Sequence, residues 1–312
     1  MSNLYGEGSH FMVGASIAEA LVHRGHNVTS LISRAYDQRA SDPQFSYMRF
    51  AVFEHRNKSM EEVRDIFRHL GSVALDEPDR QFMNGIIPLI MNMSFDCRNL
   101  IMDEALMMRL ENIDAIVMDN TWPCGIVMRR LLEQRFDKDI KLISLWPFTP
   151  QGSTIYVYGS SCNLAYQPEL GTGYSDNMTL FQRAFNIFQG IASLLILKYI
   201  SLPNYRQLAA DVNLDESMLS VWNLHKEFDL HLMSMDFSSE FPFPLGPNFI
   251  PVGGLTARPA RKLNEEALNP WMKATNHVTD NEQSLQKNEA IRRFLSAHQG
   301  AHPLYTAKGL EP

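Results

Sequence analysis

The sequence predicts an α/β fold whose sheet is mostly parallel. Short apolar runs that suit buried strands alternate with longer stretches in which apolar residues recur at helical spacing. One run, IDAIVMD, ends in an acid, and a helical pattern that opens with a proline follows it closely. With 312 residues, 45% of them hydrophobic and 20% charged, the chain is long enough to bury a sizeable core. The predicted architecture is therefore Rossmann-like.

The first half of this fold begins with a helix. Its apolar positions recur from Phe11 to Arg24, and Gly25 stands where a left-handed helix end belongs. Two segments rich in β-branched and aromatic residues then predict strands, and amphipathic spacing predicts two helices after them. These predicted elements are the strands Asn27–Ser33 and Tyr47–Phe53 and the helices Lys58–Leu70 and, approximately, Pro78–Leu110.

The second half continues the alternation. The run Ile113–Asp119 predicts a buried parallel strand, and Pro123 takes a tolerated first-turn position of the next helix. The further predicted elements are the strands Ile140–Trp146, Asp229–Phe237 and Phe249–Gly254 and the helices Met178–Ile200 and Leu214–His225. The sequence then turns polar. We expect a Rossmann-like domain over residues 1–260 and a linker and divergent tail over 261–312, with a short helix near Glu289–Leu295.

Composition excludes several classes of protein. The net charge of −7 and the scattered basic residues argue against a nucleic-acid partner. Cys97, Cys124 and Cys162 are far apart and form no CxxC pair, so three free, packed thiols are expected. Residues 1–8 carry no signal-peptide pattern, and the longest apolar run, IASLLIL, is shorter than the roughly 20 residues of a membrane span. The apolar segment over 185–200 is either part of the core or a segment that contacts a membrane.

Two residues are candidate catalytic residues on sequence grounds. In an open α/β sheet, active sites lie outside the carboxyl ends of the strands, where loops meet helix N-termini. His10 precedes the first helix and Asp119 closes a strand. A helix N-terminus disfavours imidazolium, so the ring is in the neutral form that a general base needs, and a carboxylate can hold its tautomer. The alternatives are a capping or loop histidine and an Asx-type cap of the Pro123 helix.

Other motifs are weaker. GEGSHF fails the dinucleotide fingerprint, since Phe11 takes the place of the third glycine, and nicotinamide cofactors are disfavoured. HQGAH places His298 and His302 four residues apart without the acid of a zinc-protease motif, so no metal is expected. An unrelated hydrolase is disfavoured as well, because the sequence has no GxSxG motif.

Three segments, in order, resemble the UDP-glycosyltransferase family and its UDP-glucuronosyltransferase group in particular. They are GSHFMVGASIAEALVHRGHNVTSL, MDNTWPCG and FSSEFPFPLGPNFIPVGGL. The resemblance implies the N-terminal, acceptor-binding domain of a GT-B glycosyltransferase. It further implies that His10 is the base and Asp119 its supporting acid, that a UDP-sugar is the co-substrate, and that the acceptor is a small lipophilic alcohol or phenol. An endoplasmic reticulum location is also implied.

Against that family pattern, we expect the first strand, the donor-binding domain and the membrane anchor to be absent from this chain. The expectation is a truncated chain that binds acceptor but transfers no sugar alone. The alternative is a catalytically silent protein that pairs with full-length relatives, as a homo- or hetero-oligomer, with the tail over 275–312 needed for the complex.

Overall fold

A computed structural model describes residues 6, 8–55, 59–65, 93–149, 152–169, 172–238, 240 and 243–257. The strands are β1 (Thr29–Ser33), β2 (Arg49–Phe53), β3 (Ala115–Asp119), β4 (Lys141–Trp146), β5 (Leu230–Met233) and β6 (Phe249–Pro251). The helices are α1 (Gly8–His23), α2 (residues 60–65), α3 (residues 93–101), α4 (Glu104–Arg109), α5 (Cys124–Phe136), α6 (Gly152–Val157), α7 (Leu180–Ile196) and α8 (Leu202–Asp211). The predicted tail with its short helix, and most of the helix predicted from Pro78, lie outside these residues.

All described strand pairs are parallel, which confirms the predicted α/β class. Strands β1 and β2 form one pair. Strands β3 to β6 form a ladder in that order. Parallel strands need long crossovers, and helices supply the ones between β3 and β4 and between β4 and β5. The carboxyl ends of the strands in each set therefore lie on one edge, which is where Asp119 stands.

Helix α1 packs on both sets of strands. Its residues Phe11, Ala15 and Ala18 lie in a buried cluster with Val28 and Ile32 of the first pair. Val13, two residues after Phe11, lies in a second cluster with Val117 and Leu145. Burying these side chains stabilises the fold by roughly 1.5 to 3 kcal/mol for each large one. The same burial fixes the direction in which the first turn of α1 points.

Helix α5 lies close to the strand that carries Asp119. A Cβ atom at Gly125 would lie 2.7 Å from the sulfur and 2.8 Å from the Cβ of Met118. Since real Cβ atoms do not approach that closely, glycine is what allows the first turn of α5 to approach β3. The glycine of the PCG segment thus has a packing role directly behind the end of the strand.

Two of the predicted helices differ from the structure. Helix α1 begins at Gly8 rather than Phe11, so His10 lies in its first turn and not before it. The helix predicted over Leu214–His225 is two short 3-10 turns, Glu216–Leu219 and Leu224–Glu227. Asp215 accepts a hydrogen bond from the backbone of Ser217, and side chains that bond locally in this way favour turns over longer helices.

The prediction of three free thiols was wrong. Cys97 of α3 and Cys124, the first residue of α5, form a disulfide with their Cα atoms 5.5 Å apart. Cys162 is the free cysteine among the described residues. The two bonded residues are 27 positions apart on different helices, and no local spacing rule anticipates that meeting.

Helix α7 presents its apolar face outward. Its two buried residues are Asn186 and Gly190. Large apolar side chains on it are exposed, including Phe181 (87%), Phe188 (63%) and Ile191 (52%). A surface helix of a globular protein normally has the opposite arrangement. The helical run Leu180–Asp211 is long and apolar enough to cross a membrane by length and composition, with 22% of its most apolar window buried. The apolar stretch is therefore longer than the sequence analysis counted.

Candidate functional site

The structure brings the two predicted site residues together. His10 Nδ1 lies 2.6 Å from Asp119 Oδ2, although the residues are 109 positions apart in sequence. The Asp119 side chain is 2% exposed and the His10 side chain 23% exposed. The carboxylate is thus shielded from water, while part of the imidazole remains accessible to a molecule bound outside it.

A glycine before α1 and the glycine that begins it allow the chain to turn sharply into the helix. Gly6 has a φ of +92° and Gly8 one of +44°, both in the region that glycine tolerates best. A Cβ on Gly6 would lie 3.0 Å from the Ile32 side chain of β1, so a larger residue would crowd that strand. This turn places His10 beside the end of β3.

Asp119 uses both of its carboxylate oxygens. Oδ1 accepts hydrogen bonds from the backbone N–H of Thr121, at 3.0 Å, and from its hydroxyl, at 2.6 Å. Oδ2 is left for His10. From the sequence, Asp119 is either an Asx-type cap of α5 or the carboxylate that holds the tautomer of His10. The carboxylate in fact closes an Asx turn just before α5 and contacts the histidine as well.

Thr121 was missed by the sequence analysis. A hydroxyl two residues after an aspartate at a strand end is a local signal that would have found it, because Asx turns form at this spacing. Its two hydrogen bonds fix the rotation of the Asp119 carboxylate. Thr121 is therefore a positioning residue for the pair.

Aromatic and polar side chains stand next to His10. The ring of Phe148, just after β4, has its centroid 5.9 Å from that of His10 and is 38% exposed. Its neighbour Thr149 donates a 2.5 Å hydrogen bond to Glu240, which brings that carboxylate to the same side. The surface beside the imidazole thus combines an aromatic ring with a carboxylate.

A second histidine and carboxylate pair is buried at the neighbouring strand ends, and the sequence analysis did not single it out. His55 Nε2 lies 2.6 Å from the Ser33 hydroxyl, and its Nδ1 lies 2.9 Å from Asp96 of α3. Ser33 also accepts a hydrogen bond from the backbone of Ala35. All three members of the network are buried, so they tie β1 and β2 to α3 and do not face a substrate.

No metal site is found in the part of the chain that the structure describes. No three or more His, Cys, Asp or Glu side chains come together there in an arrangement that could hold an ion. The HQGAH segment lies outside that part. The expectation that no metal is bound stays a prediction.

Comparison with known proteins gives consistent matches. The family model described as "UDP-glucoronosyl and UDP-glucosyl transferase" matches residues 4–276. UDP-glucuronosyltransferase 1A6 of Mus musculus is 28% identical over 268 residues, 83% of this chain and 48% of that protein. For 2-hydroxyacylsphingosine 1-beta-galactosyltransferase of Homo sapiens, identity is 26% over 270 residues, 86% of this chain and 47% of the relative. The chain thus spans about half the length of the curated relatives it matches.

Proposed function

Since the chain belongs to the UDP-glucoronosyl and UDP-glucosyl transferase family, we propose that it supplies the acceptor-binding half of a transferase that moves a sugar from UDP to a small lipophilic acceptor. The observation that carries this proposal is the 2.6 Å contact between a partly exposed His10 and a buried Asp119, beside the exposed ring of Phe148.

The geometry supports a general-base role for His10. A carboxylate only accepts hydrogen bonds, so the ring nitrogen facing Asp119 carries the proton and Nε2 has the free lone pair. Nε2 takes the proton of the acceptor hydroxyl as that oxygen bonds to the anomeric carbon. The bond from that carbon to the phosphate oxygen breaks, and UDP leaves with the electron pair. Asp119 stabilises the imidazolium that forms.

The function is tested by supplying the donor-binding half. Residues 1–276 are fused to the C-terminal half of UDP-glucuronosyltransferase 1A6 of Mus musculus and assayed with UDP-glucuronic acid, UDP-glucose and a panel of phenols and alcohols. We expect turnover that His10→Gln lowers by about 10²- to 10⁴-fold, the usual contribution of a general base. His23→Gln, at the exposed end of the same helix, is the matched control. Equal losses in both variants would contradict the assignment.

Experiments on the isolated chain separate acceptor binding from sugar transfer. We expect the 312-residue protein to bind lipophilic phenols, measured by calorimetry, and to transfer no sugar. His10→Gln should leave the dissociation constant nearly unchanged, since the base acts on the transition state more than on bound acceptor. Turnover by the chain alone that His10→Ala abolishes would refute the dependence on a donor-binding half.

We also propose that the outer face of α7 rests in a membrane interface, in the endoplasmic reticulum. The exposed apolar face favours contact with lipid. The helix is tied to the protein at Asn186, which donates hydrogen bonds to the carbonyls of Leu164 and Gln167 and accepts one from the N–H of Glu169. A helix held in this way lies on the membrane more readily than it crosses it. The disulfide agrees with an oxidising compartment such as the lumen.

Sedimentation with phosphatidylcholine vesicles tests the membrane contact. We expect the wild-type chain to pellet with vesicles and the Phe181→Ser, Phe188→Ser double variant to stay largely in solution. Trp222→Ser removes a large side chain that is 62% exposed elsewhere and is the control. Equal pelleting of the double variant and the wild type would refute the contact. The alternative, pairing with full-length relatives through residues 275–312, concerns residues outside the described ones and stays a prediction.

A further inference from the structure

Four buried side chains on the sheet hold polar atoms without a hydrogen-bond partner among the described residues. The atoms are Asn120 Oδ1, Ser144 Oγ, Trp146 Nε1 and both ring nitrogens of His231. Asn120 is 6% exposed and the other three residues are fully buried. An unpartnered polar group in the interior costs about 1 to 3 kcal/mol, so a group of them at one place needs an explanation.

The strand register places these atoms together. Ser144 of β4 pairs with His231 of β5, so the two side chains stand next to each other in one row of the sheet. Asn120 extends β3, since its N–H donates a 2.9 Å hydrogen bond to the carbonyl of Leu145. This hydrogen bond places Asn120 opposite Trp146 in the register of the two strands. Side chains two apart on a strand share a face. The four residues therefore form two adjacent rows on the same face.

Tyr158, which follows α6, packs its ring against two members of this group. Its ring centroid lies 4.8 Å from that of Trp146 and 5.7 Å from that of His231. Its hydroxyl donates a 2.9 Å hydrogen bond to the backbone carbonyl of Asn120. That hydroxyl proton is therefore not donated to any of the unpartnered atoms. Phe249 stacks on His231 from the other side, with 4.2 Å between ring centroids. The polar atoms are thus enclosed by aromatic rings.

We propose that this face of the sheet binds internal water, held by Asn120, Ser144, Trp146 and His231. The set supplies what water requires, since the indole only donates, the amide oxygen only accepts, and the hydroxyl and a neutral imidazole do both. Rotation of Ser144 toward His231 would pair those two groups and still leave the indole and the amide oxygen unpaired. Burial lowers the pKa of His231 to about 4, which keeps its ring neutral.

The water site lies next to the candidate catalytic pair in sequence. Asn120 follows Asp119 directly, and Trp146 comes two residues before Phe148. Water that bridges Asn120 and Trp146 would hold the ends of β3 and β4 together beyond their last ladder hydrogen bonds. A bearing of this water on catalysis rests on the proposed function, whereas the binding of water does not.

Water-selective NMR on the 312-residue chain tests the proposal. We expect the indole N–H of Trp146 to show a rotating-frame Overhauser cross-peak to water. The indole of Trp122, equally buried but donating 3.0 Å to the carbonyl of Met93, is the matched control and should show none. The exposed Trp222 gives the positive reference. A folded protein in which the Trp146 indole has no water cross-peak overturns the proposal.

A double variant and a crystal structure test the same water site without relying on the wild-type NMR cross-peak alone. Ser144→Ala with His231→Phe removes two of the four groups that hold water and should weaken the Trp146 cross-peak, and an unchanged peak in a folded variant overturns the assignment. Should this variant fail to fold, a crystal structure of the wild-type chain decides. Ordered water within hydrogen-bond distance of Trp146 Nε1 supports the site, and its absence there overturns it.

Discussion

The carboxylate of Asp119 divides its two oxygens between different tasks. One oxygen faces His10, and the other accepts two hydrogen bonds from Thr121. Because rotation about the carboxylate would break both sets of contacts together, the imidazole is held in one orientation. Orientation of this kind matters to catalysis, since a base that is slightly misplaced transfers protons slowly.

Thr121→Val should therefore slow transfer without weakening acceptor binding. The variant loses the hydroxyl hydrogen bond to Asp119 and keeps the backbone one. A hydrogen bond to a charged group contributes about 1.5 kcal/mol, so we expect kcat of the fusion protein to fall roughly tenfold at an unchanged KM. Thr121→Ser should restore most of kcat. Thr256→Val, at an exposed turn, is the control, and a rise in KM instead of a fall in kcat would contradict the positioning role.

His231 should make the fold sensitive to acid. Burial lowers the pKa of its ring to about 4, from an ordinary value of 6.5 that applies in the unfolded chain. The unfolded state therefore binds the proton first as the pH falls. The stability contributed by the neutral ring is fully present above pH 6.5 and is lost as the pH falls from about 6.5 toward about 4.

The expected loss from this one histidine is about 2 kcal/mol in the free energy of unfolding between pH 7 and pH 5. Urea unfolding at a series of pH values measures it. His231→Phe keeps an aromatic ring against Phe249 and should remove most of the slope, whereas His26→Phe, at an exposed turn, should not. An identical slope in both variants would show that other groups cause the acid sensitivity.

Helices α3 and α5 are joined covalently next to the candidate site. The disulfide connects Cys97 to Cys124, and the loop that holds Asp119 and Thr121 ends where α5 begins. The bond closes a loop across a sequence separation of 27 residues. By chain entropy alone, such a closure stabilises the folded state by about 3 to 4 kcal/mol.

Reduction should lower the free energy of unfolding by about that amount. Urea titrations with and without a phosphine reductant measure the difference, and Cys162→Ala, which removes the free thiol, should not change it. Thiol counting provides a separate check. The unfolded, unreduced chain should titrate one thiol and the reduced chain three, and three thiols without reductant would contradict the bond.

Elements with strong end signals were predictable from the sequence. Gly25, with a φ of +89°, ends α1 as expected, and the apolar runs of β3 and β4 lie where the sequence placed them. Short helices such as α6 were missed, because six residues show no helical periodicity. The first 3-10 turn after α8 follows from local hydrogen bonds of Asp215, which compete with a longer helix.

The candidate site was only partly accessible to sequence reasoning. His10 and Asp119 were identified from their places at a helix start and a strand end, and the resemblance to a family paired them. Their contact across 109 residues depends on the packing of α1 against β3 and β4, which no local pattern contains. The same holds for the buried network of Ser33, His55 and Asp96, whose members come from three separate elements.

Taken together, the fold leaves Asp119 unable to attack a sugar directly. A glycosyltransferase retains anomeric configuration by a double displacement when a side chain first bonds to the anomeric carbon. Asp119 is 2% exposed, and His10 and Thr121 occupy its oxygens. In the proposed reaction the acceptor oxygen attacks in a single step, from the side opposite to UDP. We expect the complete transferase to invert the anomeric centre, as the resemblance to the UDP-glycosyltransferases implies.

The product of the fusion protein tests this inference. An α-linked UDP-sugar should give a β-glycoside, identified by the large trans-diaxial coupling of its anomeric proton in the NMR spectrum. Glu240 is the second carboxylate on this side of the site, and it accepts a hydrogen bond from Thr149. Glu240→Gln should leave the β configuration unchanged, because this side chain takes no covalent part. An α-glycoside whose formation Glu240→Gln abolishes would identify a double displacement through Glu240 and contradict the single step.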